Sequence, residues 1–159
     1  MNTRNYVIAV GVDGSDNARQ ALLWAVREAH ARGGTVQAIN AWRWQYPELR
    51  DKDTAVRETR RAEQLLAREV ASLPSYLRTG VSVACEAIEG DAAAVLTEAG
   101  RTADVLVLGS HGSSRHIHQL LGSVSEDCIR QATCPVVVIP ANYQNPAVRD
   151  TAGQQINVA

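Results

Sequence analysis

Residues capable of chemistry are concentrated between positions 109 and 125, which read Gly109-Ser110-His111-Gly112-Ser113-Ser114-Arg115-His116-Ile117-His118-Gln119-Leu120-Leu121-Gly122-Ser123-Val124-Ser125. Glycines let a main chain come close to a phosphate and adopt positive φ, and successive amides can form an anion-binding nest. Ser113, Ser114, Ser123 and Ser125 add hydroxyl donors, and Arg115 adds charge. A helix starting at Ser123 would contribute free amides and the positive end of its dipole. Taken singly, Gly109 and Gly112 read equally well as turn residues and Ser123 as a helix cap. Together in one loop they point to phosphate binding. The run Ser123-Val124-Ser125-Glu126 spells a capping box, with the Ser123 hydroxyl accepting from the Glu126 amide and the Glu126 side chain returning the bond. Glu126 would repel a phosphate at that helix end unless it turns away or a magnesium ion intervenes.

Composition limits how a phosphate can be held. The 16 basic residues are arginines apart from Lys52, which stands between Asp51 and Asp53. A Walker-type loop needs Gly-Lys-Ser/Thr, so it is excluded, and a Schiff-base enzyme would rest on that one lysine. A net charge of -1 argues against nucleic acid as a partner. Cys85, Cys128 and Cys134 are odd in number and lack CxxC spacing, so buried free thiols are expected rather than disulfides or a zinc cage. His116 and His118 flank Ile117 with no cysteine at ligand spacing, and His111 sits among the glycines; surface or phosphate-facing roles fit them better than metal ligation.

Five β-like runs must position this loop, at residues 6–12, 35–41, 81–87, 105–108 and 136–139. Helical patterns separate them. Ala18, Ala21, Leu22, Ala25, Val26 and Ala29 form one apolar stripe, ended by Gly33-Gly34; Ala62, Leu65, Leu66, Val70 and Leu73 form a second, ended by Pro74. Asp91 caps a third helix with Ala92, Val95, Leu96 and Ala99 on its buried face, and Val124, Cys128, Ile129 and Ala132 belong to a fourth. Arg57, Arg60, Arg61 and Arg68 share the second helix with Glu58, Glu63 and Glu69, which predicts a solvated, ion-paired face. Alternation of strands and helices predicts an α/β fold, a five-stranded parallel sheet in the order 3-2-1-4-5 with helices on both faces. In such sheets ligands bind beyond the carboxyl ends of the strands flanking the reversal, here strands 1 and 4. The site is therefore expected between residues 11–15 and the loop starting at Gly109. Trp42 and Trp44 follow strand 2, where either covers the pocket or packs against the second helix.

With 159 residues, 45% hydrophobic, the chain is expected to form one domain over residues 1–140 and a polar tail over 141–159. Phenylalanine is absent and aromatics are 4%, so the core must come from Ala, Val, Leu and Ile. No run approaches the length of a membrane span and no secretory h-region is visible, which predicts a cytoplasmic protein without membrane partners.

The chain resembles the ATP-binding branch of the universal stress protein family, whose motif is G-x2-G-x9-G-S/T. Gly109, Gly112, Gly122 and Ser123 satisfy it with the intervals intact. The likeness extends through Val10-Gly11-Val12-Asp13-Gly14-Ser15, Leu120-Leu121-Gly122-Ser123-Val124 and Cys134-Pro135-Val136-Val137-Val138-Ile139, spanning roughly residues 5 to 140. It implies an adenine nucleotide alpha-hydrolase-like, Rossmann-like fold and bound ATP, with Mg2+. By resemblance Asp13 faces the adenosine or the metal, and Gly11, Val12 and Ala41 frame the adenine. Gly109, Ser110, His111, Gly112, Ser113, Ser114 and Arg115 hold the ribose and the α/β-phosphates, and Ser123, Val124 and Ser125 hold the terminal phosphate. The run 136–139 between Pro135 and Pro140 is an apolar sheet edge, and antiparallel pairing with its own copy would give a homodimer, as the resemblance also implies. The activity expected is that of a nucleotide-binding stress-response regulator. A slow ATP hydrolase, a cyclic-AMP binder and a nucleotide-free interaction module are the alternatives. No general base or arginine finger is recognisable, so turnover is expected to be weak at most.

Overall fold

The five apolar runs become five parallel strands: β1 (Val7–Gly11), β2 (Thr35–Trp42), β3 (Ser82–Glu89), β4 (Val105–Gly109) and β5 (Val136–Ile139). The computed structural model describes residues 5–44, 48, 50–112 and 120–144. Ser113, Ser114, Arg115, His116 and His118, and residues 145–159 of the expected tail, lie outside them. The strand order is β3-β2-β1-β4-β5, as the alternation predicts. Ile8 pairs with both Val36 and Val105, which fixes β1 as the central strand.

Three of the helices start where the sequence supplies a side-chain cap. For α1 (Asp16–Arg32) the Ser15 hydroxyl accepts from the Ala18 amide at 3.1 Å, and Gly33, at φ 64°, ends the helix in the left-handed conformation. For α2 (Lys52–Ala71) Asp51 accepts from the Thr54 amide at 2.7 Å, and this bond together with one from the Thr54 hydroxyl holds its carboxyl below the usual range. A six-residue helix, α3 (Ser75–Gly80), follows Pro74 and buries only Leu77; the sequence pattern did not predict it, because one turn has no periodicity to read. Asp91 caps α4 (Ala92–Gly100) as expected.

Side chains alternate along β1 and β4 between two cores. Ile8, Val10, Val105 and Val107 face α1, α2 and α3, where Leu22, Val26, Leu66 and Leu77 are fully buried. Ala9, Leu106 and Leu108 face α4 and α5 (Ser123–Gln131), where Leu96 and Cys128 close a smaller cluster. Burying each Leu or Val side chain is worth about 1.5–3 kcal/mol.

Three expectations need correction. Glu69 is not on a solvated face: it is 2% exposed, tucked between α1 and α2, where Arg19 Nε donates to it at 2.7 Å. That bond, outweighing the cost of burial, holds the Glu69 carboxyl below its ordinary range. Cys85 is exposed on the edge strand β3, and Cys134 is only partly buried, so Cys128 alone is a fully buried thiol. Burial raises the Cys128 thiol pKa to about 11. Val124 and Ile129 are 36% and 48% exposed and Ala132 is the C-cap, because the short α5 buries only Ser125 and Cys128.

Candidate functional site

Beyond the carboxyl ends of β1 and β4, where the strand order reverses, a cleft of about 200 Å³ opens between the two loops. Of the residues assigned to the site from sequence, Gly11, Val12, Asp13, Ala41, Gly109, His111, Gly112, Gly122, Ser123, Val124 and Ser125 line it. Ser110 does not; it is buried behind the loop, bonded to Asn17 and within 3.0 Å of His111 Nδ1. Ser113, Ser114 and Arg115 fall outside the described residues.

One half of the cleft is apolar, from Ile39, Ala41, Ala92, Leu96 and Leu108. Gly11 lets β1 pass close to this floor: a Cβ added there would stand 3.1 Å from methyl carbons of Leu108 and Leu96. Main-chain polarity borders this floor. The Val12 amide donates to the Ile39 carbonyl at 2.8 Å, and the Asn40 carboxamide donates to the Val12 carbonyl at 2.7 Å. Ile39 therefore turns its main-chain groups toward β1. Those of Ala41, two residues on, point the same way but lie past the end of β1, since orientation repeats every second residue.

The other half is polar. The first helical bond of α5 joins the Glu126 amide to the Gly122 carbonyl at 3.0 Å, so the Ser123, Val124 and Ser125 amides have no acceptor within the helix. The expected capping box does not form. Gly122 occupies the N-cap position without a side-chain bond, and Ser123 is the first helical residue. The competing partner lies on the other loop: the Gly122 amide donates to the Ser110 carbonyl at 2.7 Å, and the helix starts one residue early. Ser125 is buried, and its hydroxyl donates to the Gly109 carbonyl at 2.8 Å.

The motif glycines serve space rather than unusual φ. Among the described residues positive φ occurs at Gly14, Gly33 and Gly90, none of them in the motif. A Cβ at Gly109 would lie 3.0 Å from the Asn17 carbonyl carbon, and one at Gly112 would lie 2.6 Å from Asp13 Oδ2. At Gly122 it would make only ordinary contacts, at 3.5 Å. Asp13 combines two roles: Oδ1 accepts from the Ser15 amide at 3.0 Å and the Ser15 hydroxyl at 2.6 Å, ordering the turn into α1, while the carboxylate borders the cleft beside Gly112.

Neither Trp42 nor Trp44 lines the cleft. Trp42 alternates with Ala41 and so projects from the other side of β2, and Trp44 donates to Glu89 at 2.9 Å. Contributors missed from sequence are Ala18, Ile39, Ala92, Leu96 and Leu108 in the lining, and Asn17 behind it. Helical periodicity marks Leu96 as buried, but cannot say that what it borders is a cavity. Among the described residues no group of three or more His, Cys, Asp or Glu could hold a metal ion, and no helix is long and apolar enough to cross a membrane.

Comparison with known proteins agrees with this architecture. Universal stress protein Rv2624c of Mycobacterium tuberculosis is 34% identical over 140 residues, 88% of this chain and 50% of that protein, so the chain spans about half the length of this curated relative. A universal stress protein crystallised in complex with cAMP superposes with a TM-score of 0.65 at 23% identity, over 84% of this chain and 96% of the other. The universal stress protein of Archaeoglobus fulgidus in complex with dAMP gives 0.58 at 23%, over 87% and 99%. Residues 6–140 match the universal stress protein family, and with that match over most of its length the chain belongs to this family.

Proposed function

We propose that the cleft binds an adenine nucleotide, ATP with Mg2+ in the first place, and that occupancy makes the protein a dimeric stress-response regulator rather than a fast enzyme. The observation that carries this reading is the two-part cleft at the strand reversal. An apolar floor, bordered by the main-chain groups of Ala41, suits a purine, and the amides of Ser123, Val124 and Ser125, which have no acceptor within α5, suit phosphate. Family members bound to cAMP and to dAMP support an adenine ligand. Asp13 is the carboxylate that lines the cleft, and one of its oxygens is committed to Ser15. A magnesium ion would therefore be held mainly by the phosphates, whose charge it would offset near Glu126.

The test is equilibrium binding of ATP to nucleotide-stripped protein, repeated with Gly122→Val. A branched side chain at Gly122 crowds the phosphate half, so affinity should fall by about tenfold or more. Undiminished affinity would remove the site assignment. A marked preference for cAMP over ATP favours the second reading, a cyclic-nucleotide binder, which the cAMP-bound neighbour supports. Rapid phosphate release would favour a hydrolase.

For assembly, we infer antiparallel pairing of β5 with its copy. Its four residues are all Val or Ile and lie at a sheet edge between two prolines. A twofold pair would cover that edge, and sedimentation at micromolar concentration should show a dimer; a monomer would refute the pairing.

A further inference from the structure

Asn17 stays out of the cleft lining, yet from the β1 side it grips the loop that follows β4. It sits in the first turn of α1, and the helix main chain there presses against Gly109, leaving no room for a side chain. With the carboxamide oriented so that its oxygen meets the surrounding donors, that oxygen accepts from the His111 amide at 3.0 Å and the Ser110 hydroxyl at 2.9 Å, and it shares the Ser110 amide, at 3.1 Å, with the Ile139 carbonyl, at 2.8 Å. The His111 amide is thus committed within the protein and is not a donor for phosphate. From the opposite side the start of α5 fastens the same segment, through Ser125 to the Gly109 carbonyl and Gly122 to the Ser110 carbonyl.

We propose that Asn17 is a positioning residue for phosphate recognition, resting on the nucleotide reading above. By holding the His111 amide it sets where the chain enters Gly112 and how far that segment stands from the first-turn amides of α5. A neutral carboxamide does this without adding negative charge where phosphates would collect. Aspartate would accept the same bonds but repel the ligand. The apolar floor lies mainly on β2 and α4, so the effect should fall on the phosphates far more than on the nucleoside.

The experiment measures ATP and adenosine binding to nucleotide-stripped wild type, Asn17→Ala and Asn17→Asp, together with hydrogen exchange at the His111 amide. Loss of one or two hydrogen bonds should weaken ATP binding to Asn17→Ala by about tenfold, with adenosine changed by less than about twofold. Exchange at His111 should accelerate in Asn17→Ala and stay slow in Asn17→Asp, which should still bind adenosine but bind ATP poorly. Equal losses for ATP and adenosine, or no loss of ATP affinity in Asn17→Ala, would overturn the positioning role and leave the nucleotide reading standing. Wild type that binds neither compound would overturn the nucleotide reading and this role with it, whatever the His111 exchange shows.

Discussion

The two faces of the sheet are finished in different ways. Toward α1, α2 and α3 the core is filled to the end of the strands by large aliphatic side chains, among them Leu22, Leu66 and Leu77, and is closed by the buried Glu69 carboxylate on Arg19. Toward α4 and α5 the residues at the strand ends are small: Gly11 and Ala41 on the strands, Ala92 on the helix. The sheet there ends in a cleft. One sheet thus separates two tasks. The filled face carries stability and the underfilled face leaves the cleft proposed to take the ligand, because a cavity is packing that the fold has forgone.

The strongest way to break this division is to truncate one leucine on each face. Leu66→Ala should cost about 3 kcal/mol in denaturant unfolding, while Leu96→Ala, beside an existing space, should cost about 2 kcal/mol. Only the second should alter ATP affinity. Matching effects on binding would show that the faces are not separate. Next in size is Glu69→Gln. Because Arg19 is 43% exposed, the loss should be about 1–2 kcal/mol near neutral pH rather than that of a fully buried pair. Its pH dependence follows from the depressed Glu69 pKa. The stabilisation is fully present above the unfolded glutamate value and is lost as pH falls through the lower folded one, so wild type and variant should converge in acid. Smallest in stability, and largest relative to it in binding, is Gly112→Ala. The added carbon must displace the Asp13 carboxylate, so ATP affinity should drop by about tenfold. Unfolding should shift by less than about 1 kcal/mol, since the position is exposed.

Much of the fold was legible in the sequence, because each strand is a short apolar run bounded by turn residues and each long helix carries a 3.6-residue stripe. The strand order then followed from counting strands and from crossover handedness. The loop of the site was legible for the same reason: Gly109, Gly112, Gly122 and Ser123 sit where a strand end meets a helix start. What stayed hidden depends on partners distant in sequence. Glu69 looks like any other acidic residue on an arginine-rich helix until Arg19, fifty positions earlier, is placed beside it. The Ser123 capping box was a sound local pattern, overruled by the Gly122 bond to Ser110. Asn17 gave no signal at all, since its partners lie more than ninety residues away. Cys85 was expected inside because cysteine usually is, but on β3 it belongs to a sheet edge.

The placement of the tryptophans has an optical consequence. Trp24 packs on the filled face, and Trp42 and Trp44 lie edge to face at 6.1 Å at the corner beyond β2, so all three indoles stand apart from the cleft lining. Intrinsic fluorescence and near-ultraviolet dichroism therefore report the packing of α1 and the β2 corner. Unfolding will be bright in those signals and direct ligand contact will be quiet, so occupancy has to be read from a chromophore on the ligand rather than from the protein's own indoles.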